Sequence, residues 1–547
     1  MRNQTPAITH TQLMLLCILC CGLLLRLQNI ALFAYNPDEL MHLAIARGDT
    51  LREVWQRGLQ EAHPPLGHLL RHITLMLFPG FAAERTIALC FGMLTIGVFF
   101  AIGHLLGGRN GGLAMGFLCM SSPLMIEASQ MMRNYALFML LLGGGFYCYL
   151  RYHRDGRSRD LCAFSLCMTL ACATHFSGFI AGAILGLHAT SFTLRHGPKR
   201  LLPLIVAYLP MGMLGVVCYT LYFAPGTAGH GWQQHYQSIG KLYTLSAQAL
   251  LENVLLYFDI WKLHERGAFL MGNTKQPLWF IAVFCTMFYA YVKATQKAFA
   301  VAPGTTRITL LFWPVAVGLA ACQLYPFLPS RHALYALPFF LLPIPIALAS
   351  SNRQPVHRVW LVTLAACAAI TSFHLTHARY QDTLWDYSLP QTVWEAGLRE
   401  VGTHVAKGEP VIVNRFTSLY IDNAIDGNRA DYNDARAMRT RRYEGVSYIT
   451  NPKRYYWTYT SGHFAALARA ALDAYPNARN VWVMMLNDYG WDLFPFHDCM
   501  DAAGQVTQTV QVNDEITLYA IPREALEQAL RAAPGAGRCV DVVKPAP

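Results

Sequence analysis

Eleven stretches of mostly apolar residues run through the first 376 positions of this 547-residue chain, at about 12–33, 86–106, 111–127, 134–151, 160–174, 176–193, 201–224, 277–293, 308–328, 333–350 and 358–376. A helix that crosses a bilayer needs roughly 20 such residues. In hydrocarbon only a helix or a closed barrel satisfies its own backbone groups. The pattern therefore predicts a polytopic α-helical membrane protein with about 11 transmembrane helices. The fifth and sixth stretches are short and share a break at His175, so one kinked helix is an alternative to two spans. The chain is 54% hydrophobic and only 14% charged, which argues against an all-soluble enzyme and excludes a disordered chain and a coiled coil. The first stretch is too long for a removable signal peptide and has no small-residue cleavage site.

Lys and Arg in short loops mark the cytoplasmic side. Arg109, then Arg151, Arg154, Arg157 and Arg159, then Arg195, Lys199 and Arg200, then Lys293, Lys297 and Arg307, then Arg353 and Arg358 fall in alternate loops. Eleven spans with the N-terminus inside put all of these loops in the cytoplasm. The long loop 34–85, the loop 225–276 and the tail 377–547 then face outward. The net charge of +11 is partly this bias and is not read as nucleic-acid binding. Of 15 cysteines, 13 lie in or beside the apolar stretches, where a free thiol behaves as a small hydrophobe. Cys499 and Cys539 fall in the tail, where one disulfide and two buried free thiols both stay open.

Two domains are expected, a transmembrane module over 1–376 with outer loops 34–85 and 225–276, and a soluble α/β domain over 377–547. Residues 391–407 alternate at helical spacing and stop at Gly408, and β-rich runs follow at 411–414, 481–485 and 515–521. Strands mixed with helices suggest an α/β arrangement. Residues 423–462 carry no assignable pattern, and 534–547 read as a frayed end.

Polar residues at the outer rim are the exceptions to the apolar design. Directly after the first stretch comes Tyr35-Asn36-Pro37-Asp38-Glu39. One reading makes Asn36 an N-cap, Pro37 the first helical residue and Glu39 a capping-box acid. A second notes that a carboxylate at a lipid boundary is costly to desolvate and becomes a better base. Adjacent helical residues point about 100° apart, so the two acids suit one base with one helper and not a pair flanking a scissile bond. Both readings stand. Residues 61–72, Glu-Ala-His-Pro-Pro-Leu-Gly-His-Leu-Leu-Arg-His, hold a double-proline helix start at Pro64-Pro65. His68 and His72 are four apart on one face, a spacing open to metal but without an adjoining HExxH. Arg133 and Arg331 sit on the outer side, against the charge rule. Arg26 lies inside the first stretch, where it can snorkel.

The acidic pair after the first span, followed some 25 residues on by His63-Pro64-Pro65-Leu66, resembles the first outer loop of protein O-mannosyltransferases. More broadly it resembles the GT-C glycosyltransferases that use polyprenyl-phosphate sugars, including the lipid A aminoarabinose transferases. Arg133-Asn134-Tyr135 ahead of an apolar helix resembles the Arg-x-Tyr helix start of bacterial members, and Pro329-Ser330-Arg331-His332 resembles their late Arg-containing helix start. The similarity covers about residues 10–376. Two departures stand out: the mannosyltransferases carry a His closer behind the acidic pair than His42, and loop 225–276 is too short for their β-trefoil insert.

The resemblance implies an integral-membrane glycosyltransferase of GT-C type, acting at the outer face of a bacterial inner membrane. Its partners would be a polyprenyl-phosphate sugar donor and a lipid, glycan or protein acceptor. Asp38 would be the general base and Glu39 its helper, with the capping role equally open for Glu39. Arg331 would bind the lipid phosphate, since Arg binds phosphate bidentately and stays charged when buried. Tyr335 would assist it or belong to an interfacial aromatic belt. Arg133 would contact sugar or phosphate, or pair with Glu127, and Tyr135 stands beside it. His63 would orient the loop that Pro64 and Pro65 shape. His175 would line the cavity or sit as a satisfied core histidine. Trp232 in loop 225–276 would stack on a sugar if that loop is a lid. No cofactor is implied with certainty; some related enzymes use a divalent metal ion, but no compelling ligand set stands out here. The alternative is a lipid or glycan flippase, against which count the absence of half-to-half repeats and the placement of most unusual charges at the rim.

Overall fold

The computed structural model describes residues 10–27, 30, 37–59, 63–77, 81–197, 201–223, 278–321, 331–349, 391–413, 421, 439–443, 446–450, 461–486, 508–513 and 516–532. In chain order the helices are α1 (His10–Leu27), α2 (Pro37–Ala46), α3 (Leu51–Gly58), α4 (Leu66–Leu77), α5 (Phe81–Ser121), α6 (Pro123–Gln130), α7 (Tyr135–Asp155), α8 (Ser158–Thr174), α9 (Ser177–His196) and α10 (Leu201–Cys218), which runs on into a π-turn (Tyr219–Phe223). Then come α11 (Leu278–Val301), α12 (Pro303–Ala321), a 3-10 turn (Arg331–Ala336), α13 (Leu337–Leu341) and α14 (Pro343–Ala349). Beyond these, α15 (Gln391–His404), β1 (Pro410–Val413), β2 (Arg439–Tyr443), β3 (Val446–Thr450), α16 (Ser461–Ala474), β4 (Asn480–Leu486), β5 (Gln508–Asn513), β6 (Ile516–Pro522) and α17 (Arg523–Ala532) complete the described elements. The chain divides into two units, residues 1–30 with 50–384, and residues 31–49 with 385–547.

The first unit is helical, and helices stand at the first ten of the apolar stretches. The eleventh, 358–376, lies outside the described residues, as do loop 225–276 with Trp232, Cys499, Cys539 and 534–547. Among the described residues, four helices are long and apolar enough to cross a membrane: His10–Leu27, Arg85–Ser121, Ser177–Arg195 and Leu201–Tyr222. On α10, Leu202, Ile205, Val206, Leu209, Met213 and Val216 are each 56–69% exposed. An apolar face of this extent is unstable in water and at home in lipid, which makes this a membrane protein. Inside the unit, Phe99, Phe138, Phe146, Phe164, Phe312 and Phe339 pack in one continuous core.

The helix α5 is folded back on itself. Its helical geometry breaks at Gly107 and at Gly108, whose φ of +60° is the left-handed region that favours glycine. The two arms then run so close that a Cβ on Gly103 would stand 2.2 Å from the Gly111 carbonyl oxygen. These arms are the second and third apolar stretches, with Arg109 at their turn. The fifth and sixth stretches are two helices, α8 and α9, because His175 takes an extended conformation (φ −154°, ψ 133°) that ends α8. Gly156, at φ +69°, closes α7 in the usual left-handed cap.

Arg26 corrects the snorkelling reading. Its side chain is fully buried. Nε donates to Ser129 Oγ at 3.1 Å, Nη1 to the carbonyls of Gly22 and Met120 at 3.2 and 3.1 Å, and Nη2 to the Cys119 carbonyl at 3.2 Å. Cys119 and Met120 lie in the last turn of α5, whose carbonyls have no intrahelical donor and whose dipole end is negative. A guanidinium there is a C-cap delivered from another helix, so solvent is not its destination. Gln130 returns the contact by donating to the Arg26 carbonyl at 3.0 Å, which locks α1 to α5 and α6.

The second unit holds a six-stranded mixed sheet in the order β2-β3-β1-β4-β6-β5. The central strands β3, β1 and β4 are parallel, while β2, β6 and β5 join antiparallel. Parallel strands are buried on both faces, and Val411, Ile412 and Val413 of β1 are buried accordingly. The helices α16 and α17 pack on the sheet. Glu409, at the foot of β1, accepts from the Asn480 backbone N–H, the Asn480 side-chain amide and Trp482 Nε1 at 3.0, 3.1 and 2.7 Å. Strands β2 and β3 fall in the stretch 423–462 that the sequence left unassigned, and β5 is a further strand not expected.

Candidate functional site

Pro37 opens α2 as the sequence suggests, with Asp38 second and Glu39 third in that helix. Glu39 is only 1% exposed. The Asp38 side chain lies outside the described residues, and so does that of Arg331, whose backbone opens the 3-10 turn.

In the first unit the starts of α4, α7 and α9 meet. Pro64 and Pro65 lead into α4 as expected, since proline suits a helix start. The Pro65 carbonyl accepts from the Leu69 N–H at 3.0 Å, and both prolines are buried with His63. Close approach is possible because position 67 is glycine: a Cβ there would lie 2.0 Å from Asn134 Oδ1. Asn134 caps the start of α7 by position, yet its side chain makes no capping bond. It donates instead to the Thr174 carbonyl at 3.5 Å, one of the last carbonyls of α8, which lack intrahelical donors.

This arrangement brings four of the sequence-chosen residues together. The His63 and His175 rings meet edge-on at 4.8 Å between centroids. Tyr135 stands 6.2 Å from His63 and 5.7 Å from His175, with Phe138 behind at 5.2 Å. The Arg133 guanidinium lies over the Tyr135 ring at 5.3 Å, in cation–π range. All four are buried. Tyr222, at the end of the π-turn, donates to the Gly58 carbonyl at 3.3 Å and stacks edge-on to Phe176, which ties α3 and α10 to the same place. Tyr335 is buried and its ring meets Phe312 at 6.1 Å, so it is a core residue and not part of an interfacial belt. Its 3-10 turn packs against α6, α7 and α9.

Helix N-termini carry partial positive charge. Three of them, one guanidinium and two imidazoles gather here. The arginine-bearing turns at Arg151–Arg159 and Arg195 lie at the opposite ends of α7, α8 and α9. Ser177 is a participant that sequence reasoning missed: its hydroxyl lies 2.7 Å from His175 Nδ1, and its backbone N–H donates to the same nitrogen at 3.2 Å. A serine two residues after a helix-breaking histidine is the signal that was present. Among the described residues no group of three His, Cys, Asp or Glu side chains can hold an ion. A ligating histidine also gives its second N–H to an acceptor, whereas His175 Nδ1 accepts.

No protein-family model and no curated protein matches this sequence. Among solved structures the chain is similar to ArnT from Cupriavidus metallidurans in the apo state, with 12% identity and a TM-score of 0.49 over 93% of this chain and 98% of that one. It is similar to the same protein bound to undecaprenyl phosphate, at 12% identity and a TM-score of 0.48 over 92% and 97%. It is also similar to the Archaeoglobus fulgidus oligosaccharyltransferase in complex with zinc and sulfate, at 12% identity and a TM-score of 0.49 over 86% of this chain and 67% of that one.

Proposed function

We propose that the chain is an integral-membrane glycosyltransferase that moves a sugar from a polyprenyl-phosphate donor to an acceptor hydroxyl at the outer face of a bacterial inner membrane. The eleven spans, the cytoplasmic N-terminus and a periplasmic domain over 377–547 belong to the same proposal. The supporting observation is the gathering of three helix starts, Arg133, His63, Tyr135 and His175 at the end of the bundle away from the arginine-bearing turns. Burying so many polar groups in an apolar bundle is costly, and the set has the electrostatics a phosphate needs.

In the reaction Asp38 takes the proton of the acceptor hydroxyl while the oxygen attacks the anomeric carbon. The bond from that carbon to the phosphate oxygen breaks, and the phosphate leaves with the electron pair and needs no proton. Attack from the opposite face inverts the anomeric carbon. Glu39 supports the base. Arg331 and Arg133 meet the charge that develops on the phosphate, each lowering the barrier by about 3 kcal/mol where preorganised. His63, with Pro64 and Pro65, holds the loop in place, and Tyr335 sets the 3-10 turn that presents Arg331.

The test is Asp38→Asn in the full chain, assayed in bacterial membranes with a panel of radiolabelled polyprenyl-phosphate hexoses and pentoses. Wild-type protein is expected to consume one donor, and the variant to lose transfer by roughly 100- to 10,000-fold while still inserting. Arg331→Ala is expected to lose both transfer and polyprenyl-phosphate binding. Undiminished transfer by Asp38→Asn would end the mechanism, and a flippase would be indifferent to that change.

A further inference from the structure

A peptide N–H can only donate. The Ser177 backbone N–H points at His175 Nδ1 from 3.2 Å, so that nitrogen holds a lone pair; a proton there would set two N–H groups against each other. The Ser177 hydroxyl, at 2.7 Å, donates to the same lone pair. A neutral imidazole then carries its single proton on Nε2. The residues are 3% and 1% exposed, so water does not compete for either bond. The arrangement is built by the chain path. His175 ends α8 in extended conformation with its N–H given to the Ala171 carbonyl at 2.9 Å, and its own carbonyl accepts from Gly178 at 2.9 Å. Ser177 is the first residue of α9, where a backbone N–H has no intrahelical acceptor.

We propose that Ser177 is a positioning residue that fixes His175 as the Nε2–H tautomer, making His175 an N–H donor to the anionic group of the substrate and removing it as a candidate base. The proposal rests on the glycosyl-transfer reading above and deepens it. A base needs a lone pair, and the lone pair on Nδ1 is occupied by Ser177 while Nε2 has none. A neutral donor beside a guanidinium is suited to phosphate oxygens.

The experiment uses the full chain in nanodiscs, with His175→Gln, His175→Asn, His175→Ala and Ser177→Ala. The Gln amide nitrogen takes the place of Nε2 and the Asn amide nitrogen that of Nδ1. His175→Gln is expected to keep kcat within about ten-fold of wild type, and His175→Asn and His175→Ala to lose about 100-fold or more, the worth of one preorganised donor. Ser177→Ala is expected to lower kcat about five-fold at unchanged KM, in line with one net hydrogen bond. His175→Ala is also expected to bind a synthetic polyprenyl phosphate more weakly than His175→Gln does. Nitrogen NMR of 15N-histidine-labelled protein, assigned by loss of the signal in His175→Gln, reads the tautomer without any turnover. An unprotonated Nδ1 and a protonated Nε2 are expected. The reverse pattern overturns the proposal, as does a folded His175→Gln as inactive as His175→Ala, or a His175→Ala that keeps full activity. If wild-type protein shows the expected tautomer but neither transfers sugar nor binds polyprenyl phosphate, the glycosyl-transfer reading has failed, and with it the role assigned to the donor.

Discussion

Gly67→Ala tests whether the meeting of α4 and α7 organises the site. An alanine Cβ at this position would fall 2.0, 2.2 and 2.6 Å from the Oδ1, Cγ and Nδ2 atoms of Asn134. Such contacts must open by at least about 1 Å to become tolerable for packed atoms. The Asn134 side chain is 3% exposed and is held by its bond to the Thr174 carbonyl, so turning it away breaks that bond and strands an amide. Otherwise α4 itself must move, carrying His63, Pro64 and Pro65 away from Tyr135 and His175. Overpacking costs about 1–3 kcal/mol, and the better helix propensity of alanine returns at most about 1 kcal/mol. The net loss of stability is therefore modest. A displacement of about 1 Å at a site that aligns reactants can lower the rate about 100-fold. The expected result is a folded protein, melting within a few degrees of wild type, with kcat down by about two orders of magnitude. Gly97→Ala is the control: it is also a helical glycine, and nothing lies within 4 Å of its Cβ position. Activity of Gly67→Ala within two-fold of the Gly97→Ala control would refute the reasoning, since the two substitutions differ only in what the new methyl group meets.

Two further predictions concern stability. Arg26→Met keeps the apolar stem but leaves the Cys119 and Met120 carbonyls without their donor, which costs about 3 kcal/mol or more; the apparent melting temperature in detergent is expected to fall by several degrees, and a shift below one degree would contradict the capping role. Glu409→Ala removes the acceptor of three bonds, one of them from buried Trp482 Nε1, and is expected to speed amide hydrogen exchange in β1 and β4 by about 100-fold, from roughly 3 kcal/mol of lost local stability. Unchanged protection there would show that the carboxylate holds nothing together.

Much of this fold is legible in the residues. The apolar stretches locate the helices, because a segment that must satisfy its own backbone in lipid has one solution. Gly107-Gly108 and Arg109 mark the turn in α5, and His175 marks the break before α9. The buried strands β1, β4 and β6 announce themselves as Val- and Ile-rich runs. Strand β2 does not: Arg439-Thr440-Arg441-Arg442-Tyr443 is an edge strand, and edges are kept charged to prevent pairing with other chains, which erases the apolar pattern.

His63, Arg133, Tyr135 and His175 could each be picked out as odd residues near the end of an apolar stretch, one at a time. That they share one cluster, that Arg26 caps α5 and stays out of solvent, that Tyr335 belongs to the core, and that Ser177 holds one nitrogen of His175 are facts of the tertiary structure. The physical reason is range. Hydrophobicity and backbone preference act within a few residues and leave their pattern in the order of the chain. A hydrogen bond or a ring contact between residues 63 and 175 depends on how separate helices come to rest against one another, and that depends on packing and close glycine contacts that no local stretch of chain contains.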